Sequence, residues 1–113
     1  PANWWEGSGL CALGQPPDEP GWRDVVADWF RTYYAGRPHG VATAVVVRTP
    51  GGNVLEDVVT TEVWMRPDVG DWLAWYLATD EPRGKAGGYA VQGAGSCLIT
   101  RIDGSLSNVI GLP

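Results

Sequence analysis

The stretch VATAVVVRTPGGNVLEDVVTTEVWM, Val41 to Met65, decides the fold of this chain. Its first part, Val41 to Arg48, is rich in β-branched residues and almost continuously apolar, which is typical of a strand covered on both faces. Pro50-Gly51-Gly52-Asn53 supplies turn residues, and Val54 to Met65 is long enough for a second strand. The sequence therefore predicts a β-hairpin within a sheet that carries helices on both faces.

Two segments beside the hairpin have apolar residues at helical spacing. The first ends at Gly36, and its apolar residues recur every three or four positions, at Trp22, Val25, Val26, Trp29, Phe30 and Tyr33. The second is expected to be capped by Asp68 and to end before Pro82. Its predicted buried stripe consists of Val69, Trp72, Leu73, Tyr76 and Leu77.

The rest of the chain completes an α/β domain. Residues 1–12 carry turn-forming glycines without apolar periodicity, and we interpret them as an irregular N-terminal segment. Strands are expected around Tyr89 and Val91, from Ser96 to Ile102, and at Val109 and Ile110. The predicted order is α-β-β-α-β-β-β, a single domain over residues 1–113 with a mixed β-sheet.

Composition limits the classes of partner. The 113 residues are 44% apolar and 19% charged, as in ordinary globular proteins, and the net charge is −5. Because no basic stripe exists, nucleic acid and anionic membranes are not expected partners. Cys11 and Cys97 lack the spacing of metal sites, and we interpret both as buried thiols of a cytoplasmic protein.

A glycine-rich segment, Lys85-Ala-Gly-Gly-Tyr-Ala-Val-Gln-Gly93, carries the candidate chemistry. Gly87, Gly88 and Gly93 leave the backbone open to close approach by a ligand. Lys85 would meet a phosphate, although an exposed loop lysine is the ordinary alternative. The Gln92 amide offers a donor and an acceptor, the pair needed to read the edge of a pyrimidine, although it could merely border a strand.

The same segment belongs to a pattern that covers residues 13–113. It comprises Leu13-Gly-Gln-Pro16, Gly36-Arg-Pro-His39, Thr61-Glu-Val-Trp-Met-Arg66, E-P-x-x-K-A-G-x-Y-x-x-Q-G from Glu81 to Gly93, and I-x-G-x-x-x-N-V-x-G-L-P from Ile102 to Pro113. In this order and spacing, the pattern resembles the C-terminal portion of the Maf family, the septum-formation-like nucleoside triphosphate pyrophosphatases. The lysine of the family's L-G-K-P is Gln15 here.

The resemblance implies a hydrolase that converts a pyrimidine nucleotide, of the dTTP or UTP type, to monophosphate and pyrophosphate. It implies Lys85 and Gln92 as catalytic residues and Gln15, Gly87, Gly88, Tyr89 and Gly93 as substrate-binding residues. It also implies a divalent cation, Mg²⁺ or Mn²⁺, for metal-assisted attack of water. No metal ligand is assigned in this chain. Asp80 and Glu81 could coordinate a cation, but an acidic pair before a proline is more often an exposed helix terminus.

Other family features find no match in this sequence. The S-x-S-P-R-R phosphate loop, the G-A-D-T metal segment and a helix after Gly-Leu-Pro113 are missing, so we expect a fold without the family's N-terminal half and last helix. A non-catalytic nucleotide-binding or interaction module, or a fragment that needs a partner, therefore remains open. We expect a homodimer or a completing partner chain, with Trp4 or Trp5 at the contact. The one histidine, His39, is expected to be structural.

Overall fold

Four antiparallel strands in sequence order and three helices form the fold in this computed structural model, which describes residues 2–4 and 13–113. The strands are β1 (Ala2–Trp4), β2 (Pro38–Arg48), β3 (Val54–Met65) and β4 (Ile99–Asp103). The helices are α1 (Trp22–Trp29), extended by a π-helical turn at Phe30–Tyr34, α2 (Val69–Ala78) and α3 (Leu106–Ile110). Short 3₁₀ turns occupy Ala86–Gly88 and Ala94–Leu98.

The α/β class is confirmed, with two differences in detail. Every strand pair in the described ranges is antiparallel, so this part of the sheet is not mixed. Ala2–Trp4 forms a strand on β2, whereas residues 1–12 were expected to be irregular. The side chains of Trp4 and Trp5 lie outside the described residues, as does Cys11. No helix in the described part of the chain is long and apolar enough to cross a membrane.

The β2–β3 hairpin is confirmed, in a register that pairs His39 with Val63 and Arg48 with Val54. The expectation that β2 is covered on both faces is wrong for its outer half. Val46 and Val58, which share one face of the hairpin, are both 64% exposed. Val47, Val54 and Leu55 are exposed as well. A run of apolar residues marks a strand but does not tell how much of that strand the helices reach.

The helices of residues 13–113 pack on one face of the sheet rather than on both. His39, Val41 and Val63 share that face, because they alternate along their strands and pair across them. His39 stacks on Tyr34 at the end of the first helix, and Val41 and Val63 pack with Val109 of α3. The opposite face of β3 carries Trp64, under the guanidinium of Arg101.

Both predicted helices are confirmed, and their buried stripes form the main core with Met65, Tyr89 and Leu98. The contributions of α1 and its π-turn are Trp22, Val26, Phe30 and Tyr34, and those of α2 are Val69, Leu73 and Tyr76. Trp72 was predicted to be buried but is exposed. Asp68 does not cap α2 through its side chain, since its carboxylate accepts hydrogen bonds from the Arg66 guanidinium.

The C-terminal segment was predicted as strand and forms the helix α3 instead. The Ser105 hydroxyl caps this helix by accepting a hydrogen bond from the backbone N–H of Asn108. Fully buried Asn108 then donates through Nδ2 to the Val41 carbonyl and to the Thr61 hydroxyl, both at 3.0 Å. Tyr89 and Val91 also lie outside strands, and β4 begins only at Ile99. The strand at Val109 and Ile110 was predicted wrongly because two β-branched residues are too short a run to distinguish strand from helix.

His39 is structural, as expected. Its Nε2 lies 2.6 Å from the Tyr89 hydroxyl, and its ring centroid is 4.2 Å from that of Tyr34. Within the described ranges, Nδ1 has no hydrogen-bond partner. Burial lowers the pKa of His39 to about 3, so the imidazole is neutral at pH 7.

We predict that His39 makes the fold sensitive to acid. The unfolded chain takes up a proton near pH 6.5 and the folded chain only near 3, so stability falls as pH decreases through this window. The slope from this one residue approaches about 1.4 kcal/mol per pH unit. Urea unfolding at several pH values should show this loss in the native chain and a shallower one in His39→Gln. Equal pH slopes in the two proteins would contradict the assignment.

Candidate functional site

A cleft of about 430 Å³ lies where the glycine-rich segment meets α3 and β2. Four predicted site residues line it together: Gln15, Lys85, Tyr89 and Gln92. Its other lining residues are small or apolar: Gly14, Val41, Gly84, Ala86, Ala90, Val91, Val109 and Ile110. The cleft therefore combines polar side chains with an apolar wall, the usual make-up of a small-molecule site.

Lys85 brings an unpaired positive charge to this cleft. Each ion pair found among the described residues uses an arginine, and none involves Lys85. The neighbouring Arg83 is neutralised by Asp18 at 2.7 Å. A lysine without a carboxylate partner can give its charge to an anionic ligand.

The segment before Lys85 is fixed to the first helix. Asp80 follows α2 with a positive φ of 59°, and its carboxylate accepts a hydrogen bond from Arg23 at 2.5 Å. Backbone bonds from Lys85 to the Pro82 carbonyl, and from Gly88 to the Lys85 carbonyl, shape the turn around the lysine. These contacts hold the Lys85 backbone and leave its side chain exposed at the cleft.

The glycines of the segment serve packing. Gly87 donates to the Gly14 carbonyl at 3.0 Å, and its own carbonyl accepts a hydrogen bond from Tyr34 at 2.6 Å. Gly88 has φ of 80°, and a Cβ there would lie 3.1 Å from Val26. A Cβ on Gly93 would overlap the Glu81 carboxylate. These three glycines do not line the cleft, so their proposed contact with substrate remains a prediction without support from its geometry.

Glu81 is the contributor that sequence reasoning missed. Instead of ending a helix in solvent, its carboxylate accepts hydrogen bonds from the Tyr76 hydroxyl at 2.5 Å and from the amides of Ala94 and Gly95, both at 2.9 Å. Burial, together with the bond to Glu81, raises the pKa of Tyr76 above its usual range, so the hydroxyl keeps its proton. The available signal was that Glu81 and Gly93 are the first and last residues of the E-P-x-x-K-A-G-x-Y-x-x-Q-G pattern.

The described residues do not fit a resident divalent cation. In the ranges 2–4 and 13–113, no three His, Cys, Asp or Glu side chains come close enough to hold a metal ion. The carboxylates near the cleft are already engaged: Asp18 by Arg83, Asp80 by Arg23 and Glu81 by its three donors. We therefore derive no chemical step through a metal held by these residues.

A second cavity, of about 440 Å³, lies between Arg66, Asp68 and Cys97. Cys97 was expected to be buried but is exposed. Arg66 lies just beyond β3, which ends at Met65 after an irregularity at Trp64 and Met65, and it pairs with Asp68. This cavity brings together none of the predicted site residues.

Comparison with known proteins supports the relationship suggested by the motifs. The family described as Maf-like protein matches residues 11–113. A dTTP/UTP pyrophosphatase of Thermus thermophilus is 42% identical over 101 residues, which cover 89% of this chain and 51% of the relative. Proteins of the same description from Syntrophotalea carbinolica and Pyrococcus furiosus are 43% and 36% identical, over 89% of this chain and 44% and 50% of their own lengths. The chain spans about half the length of these curated relatives, and it belongs to the Maf family.

Proposed function

We propose that the cleft binds a pyrimidine nucleoside triphosphate of the dTTP or UTP type. In this proposal, the chain supplies the recognition part of a Maf-type pyrophosphatase, which hydrolyses the nucleotide to monophosphate and pyrophosphate. The observation that carries the proposal is that Lys85 and Gln92 line one cleft together with an apolar wall. Relatives described as dTTP/UTP pyrophosphatases support the same class of substrate.

Each side chain has a distinct role in the proposal. The Lys85 ammonium binds the phosphates and stabilises the negative charge that collects on the leaving pyrophosphate. The Gln92 amide donates to and accepts from the edge of the base. Tyr89 and Val109 give the base or sugar an apolar surface. Gln15, in the place of the family's lysine, offers a neutral contact.

The proposed reaction is a hydrolysis at the α-phosphorus. Water oxygen forms a bond to that phosphorus, the bond to the bridging oxygen of pyrophosphate breaks, and the water gives up a proton. Two groups that could take such a proton, His39 and Glu81, are already engaged in the structure. His39 is buried and bonded to Tyr89, and both Glu81 oxygens accept hydrogen bonds.

This observation favours a second candidate, in which the chain alone binds nucleotide without efficient turnover. The S-x-S-P-R-R loop of the family, which is missing from the 113 residues, would add further positive charge around the phosphates. We therefore expect weak binding and slow pyrophosphate release by the chain alone.

The cytoplasm is the proposed location, since an exposed thiol such as Cys97 persists in a reducing compartment.

We predict that Lys85→Ala and Gln92→Ala change different parts of the binding energy. Lys85→Ala should weaken binding of both UTP and pyrophosphate by about tenfold or more, the value of a charge-assisted hydrogen bond. Gln92→Ala should weaken the binding of UTP but not that of pyrophosphate, because pyrophosphate has no base. Isothermal titration calorimetry with Mg²⁺ measures both affinities, and a parallel assay of pyrophosphate release measures turnover.

Arg48→Ala is the matched control for this experiment. It removes one positive charge at the end of β2, where Arg48 faces solvent and does not line the cleft. It should leave both affinities within about twofold, since surface charges act weakly at a distance in salt. If Arg48→Ala and Lys85→Ala weakened binding equally, the phosphate role of Lys85 would be wrong. Fast turnover by the native chain would contradict the second candidate.

We also propose that the chain associates with a second copy or with a completing chain. The support is the outer half of the β2–β3 hairpin, where Val46 and Val58 expose apolar surface on one face. Beyond Ala42, β2 has no partner on its other side within the described residues. Open strand edges that carry apolar side chains are common association surfaces.

The double variant Val46→Lys and Val58→Lys tests this association. Both residues are exposed, so the change should leave the fold intact and shift the chain toward monomer through charge repulsion. Sedimentation velocity at several micromolar concentrations measures the shift. Ala74→Lys, on the exposed side of α2, is the control and should not alter association. A native chain that is already monomeric would rule out self-association.

A further inference from the structure

We propose that Glu81 is a positioning residue, which holds Gln92 at the cleft through the backbone on both sides of it. The inference rests on the proposed function, because Gln92 is given its role there. It goes further by assigning the geometry of Gln92 to a carboxylate that does not itself line the cleft. The observation behind it is a set of four hydrogen bonds made by Glu81 and Tyr76.

Three of these bonds reach the backbone on either side of Gln92, and the fourth joins the two side chains to each other. Before it, the Ala90 amide donates to the Tyr76 hydroxyl at 3.2 Å. After it, the Ala94 amide donates to Glu81 Oε1 and the Gly95 amide to Glu81 Oε2. The Tyr76 hydroxyl in turn donates to Glu81 Oε2 at 2.5 Å. One tyrosine–glutamate pair therefore anchors both ends of the short segment Val91-Gln92-Gly93.

The backbone at Gly93 and Gly95 packs closely against this pair. A Cβ on Gly93 would lie 1.6 Å from Glu81 Oε1. A Cβ on Gly95 would lie 2.5 Å from the Ala90 carbonyl oxygen and 2.9 Å from the Tyr76 hydroxyl. A side chain at position 93 would therefore displace the Glu81 carboxylate, and one at position 95 would meet the Ala90 backbone as well as the Tyr76 phenol. This is the contact that gives Gly93 its place in the motif.

The pair itself is rigidly supported. Tyr76 is completely buried on α2, where its ring packs against Phe30 at 5.9 Å between centroids. Its raised pKa keeps the hydroxyl protonated, so it remains a donor to Glu81. Glu81 follows the end of the same helix and precedes the buried Pro82. A fixed helix end thereby sets where the Gln92 backbone runs.

Glu81→Gln tests the inference with minimal change in shape. An amide has one accepting oxygen, so at least one of the Ala94 and Gly95 amides loses its acceptor. We expect UTP affinity to fall by about tenfold, to the level of Gln92→Ala, because a displaced Gln92 no longer meets the base. Pyrophosphate affinity should stay within about twofold of native, since Lys85 is held by other contacts.

A double-mutant cycle separates positioning from a general structural effect. If Glu81 acts through Gln92, then Glu81→Gln combined with Gln92→Ala should bind UTP no more weakly than Gln92→Ala alone. A general loss of structure would instead lower both affinities and add to the effect of Gln92→Ala. Tyr76→Phe is the second variant: it keeps the core ring, removes the hydroxyl and should reproduce the selective loss. Glu56→Gln, at an exposed position of β3, is the control.

Amide NMR spectra without nucleotide distinguish failure of this inference from failure of the proposed function. Hydrogen bonds to a carboxylate should shift the Ala94 and Gly95 amide protons downfield, and Glu81→Gln should reverse the shift and move the Gln92 amide. If these signals move but the native chain binds no UTP, the proposed function fails and the positioning role stands. If they do not move, or if Glu81→Gln binds UTP like the native chain, the inference is overturned.

Discussion

One carboxylate, that of Glu81, joins the end of α2 to the segment that carries Gln92. It accepts three hydrogen bonds, two of them from backbone amides that no strand or helix partner satisfies. Buried amides without an acceptor cost about 1–3 kcal/mol each, so the path of residues 90–95 depends on this side chain. Ala90, Val91 and Gln92 on this path line the cleft together with Val109 and Ile110 of α3.

The rest of the site follows from this constraint and from the first helix. Gly88, with φ of 80°, brings the segment against Val26, and Tyr34 holds the Gly87 carbonyl. The charged side chains near Lys85 form ion pairs within the protein, Asp80 with Arg23 and Arg83 with Asp18. Within residues 2–4 and 13–113, no ion pair or side-chain hydrogen bond involves Lys85 or Gln92, so neither side chain is engaged by this part of the chain. A glycine-rich segment can therefore have a backbone held by many contacts while leaving two polar side chains exposed.

The sequence predicted the elements that have long periodic patterns. It also singled out Lys85 and Gln92, which line one cleft, while their roles stay predictions. The helix beginning at Trp22 and the β2–β3 hairpin were foreseen because their repeats extend over many residues. The α3 helix was not foreseen, because Val109 and Ile110 carry no periodic signal. Two contacts fix this helix: the cap by Ser105 and the hydrogen bond from the buried Asn108 side chain to Val41. Glu81 was misread as an exposed helix terminus because a carboxylate's partners can lie more than ten residues away in sequence. Exposure of Val46 was missed because an apolar run does not show how far the core extends.

Nucleotide binding at the cleft containing Lys85 and Gln92 can be tested directly by titrating the ¹⁵N-labelled chain with UTP and Mg²⁺ and following every backbone amide. We expect the largest chemical-shift changes at Lys85, Tyr89 and Gln92, and no change in the signals of the cavity beside Cys97 or the end of the hairpin. Shifts centred on Arg66 and Cys97, or no shifts at millimolar UTP, would contradict it.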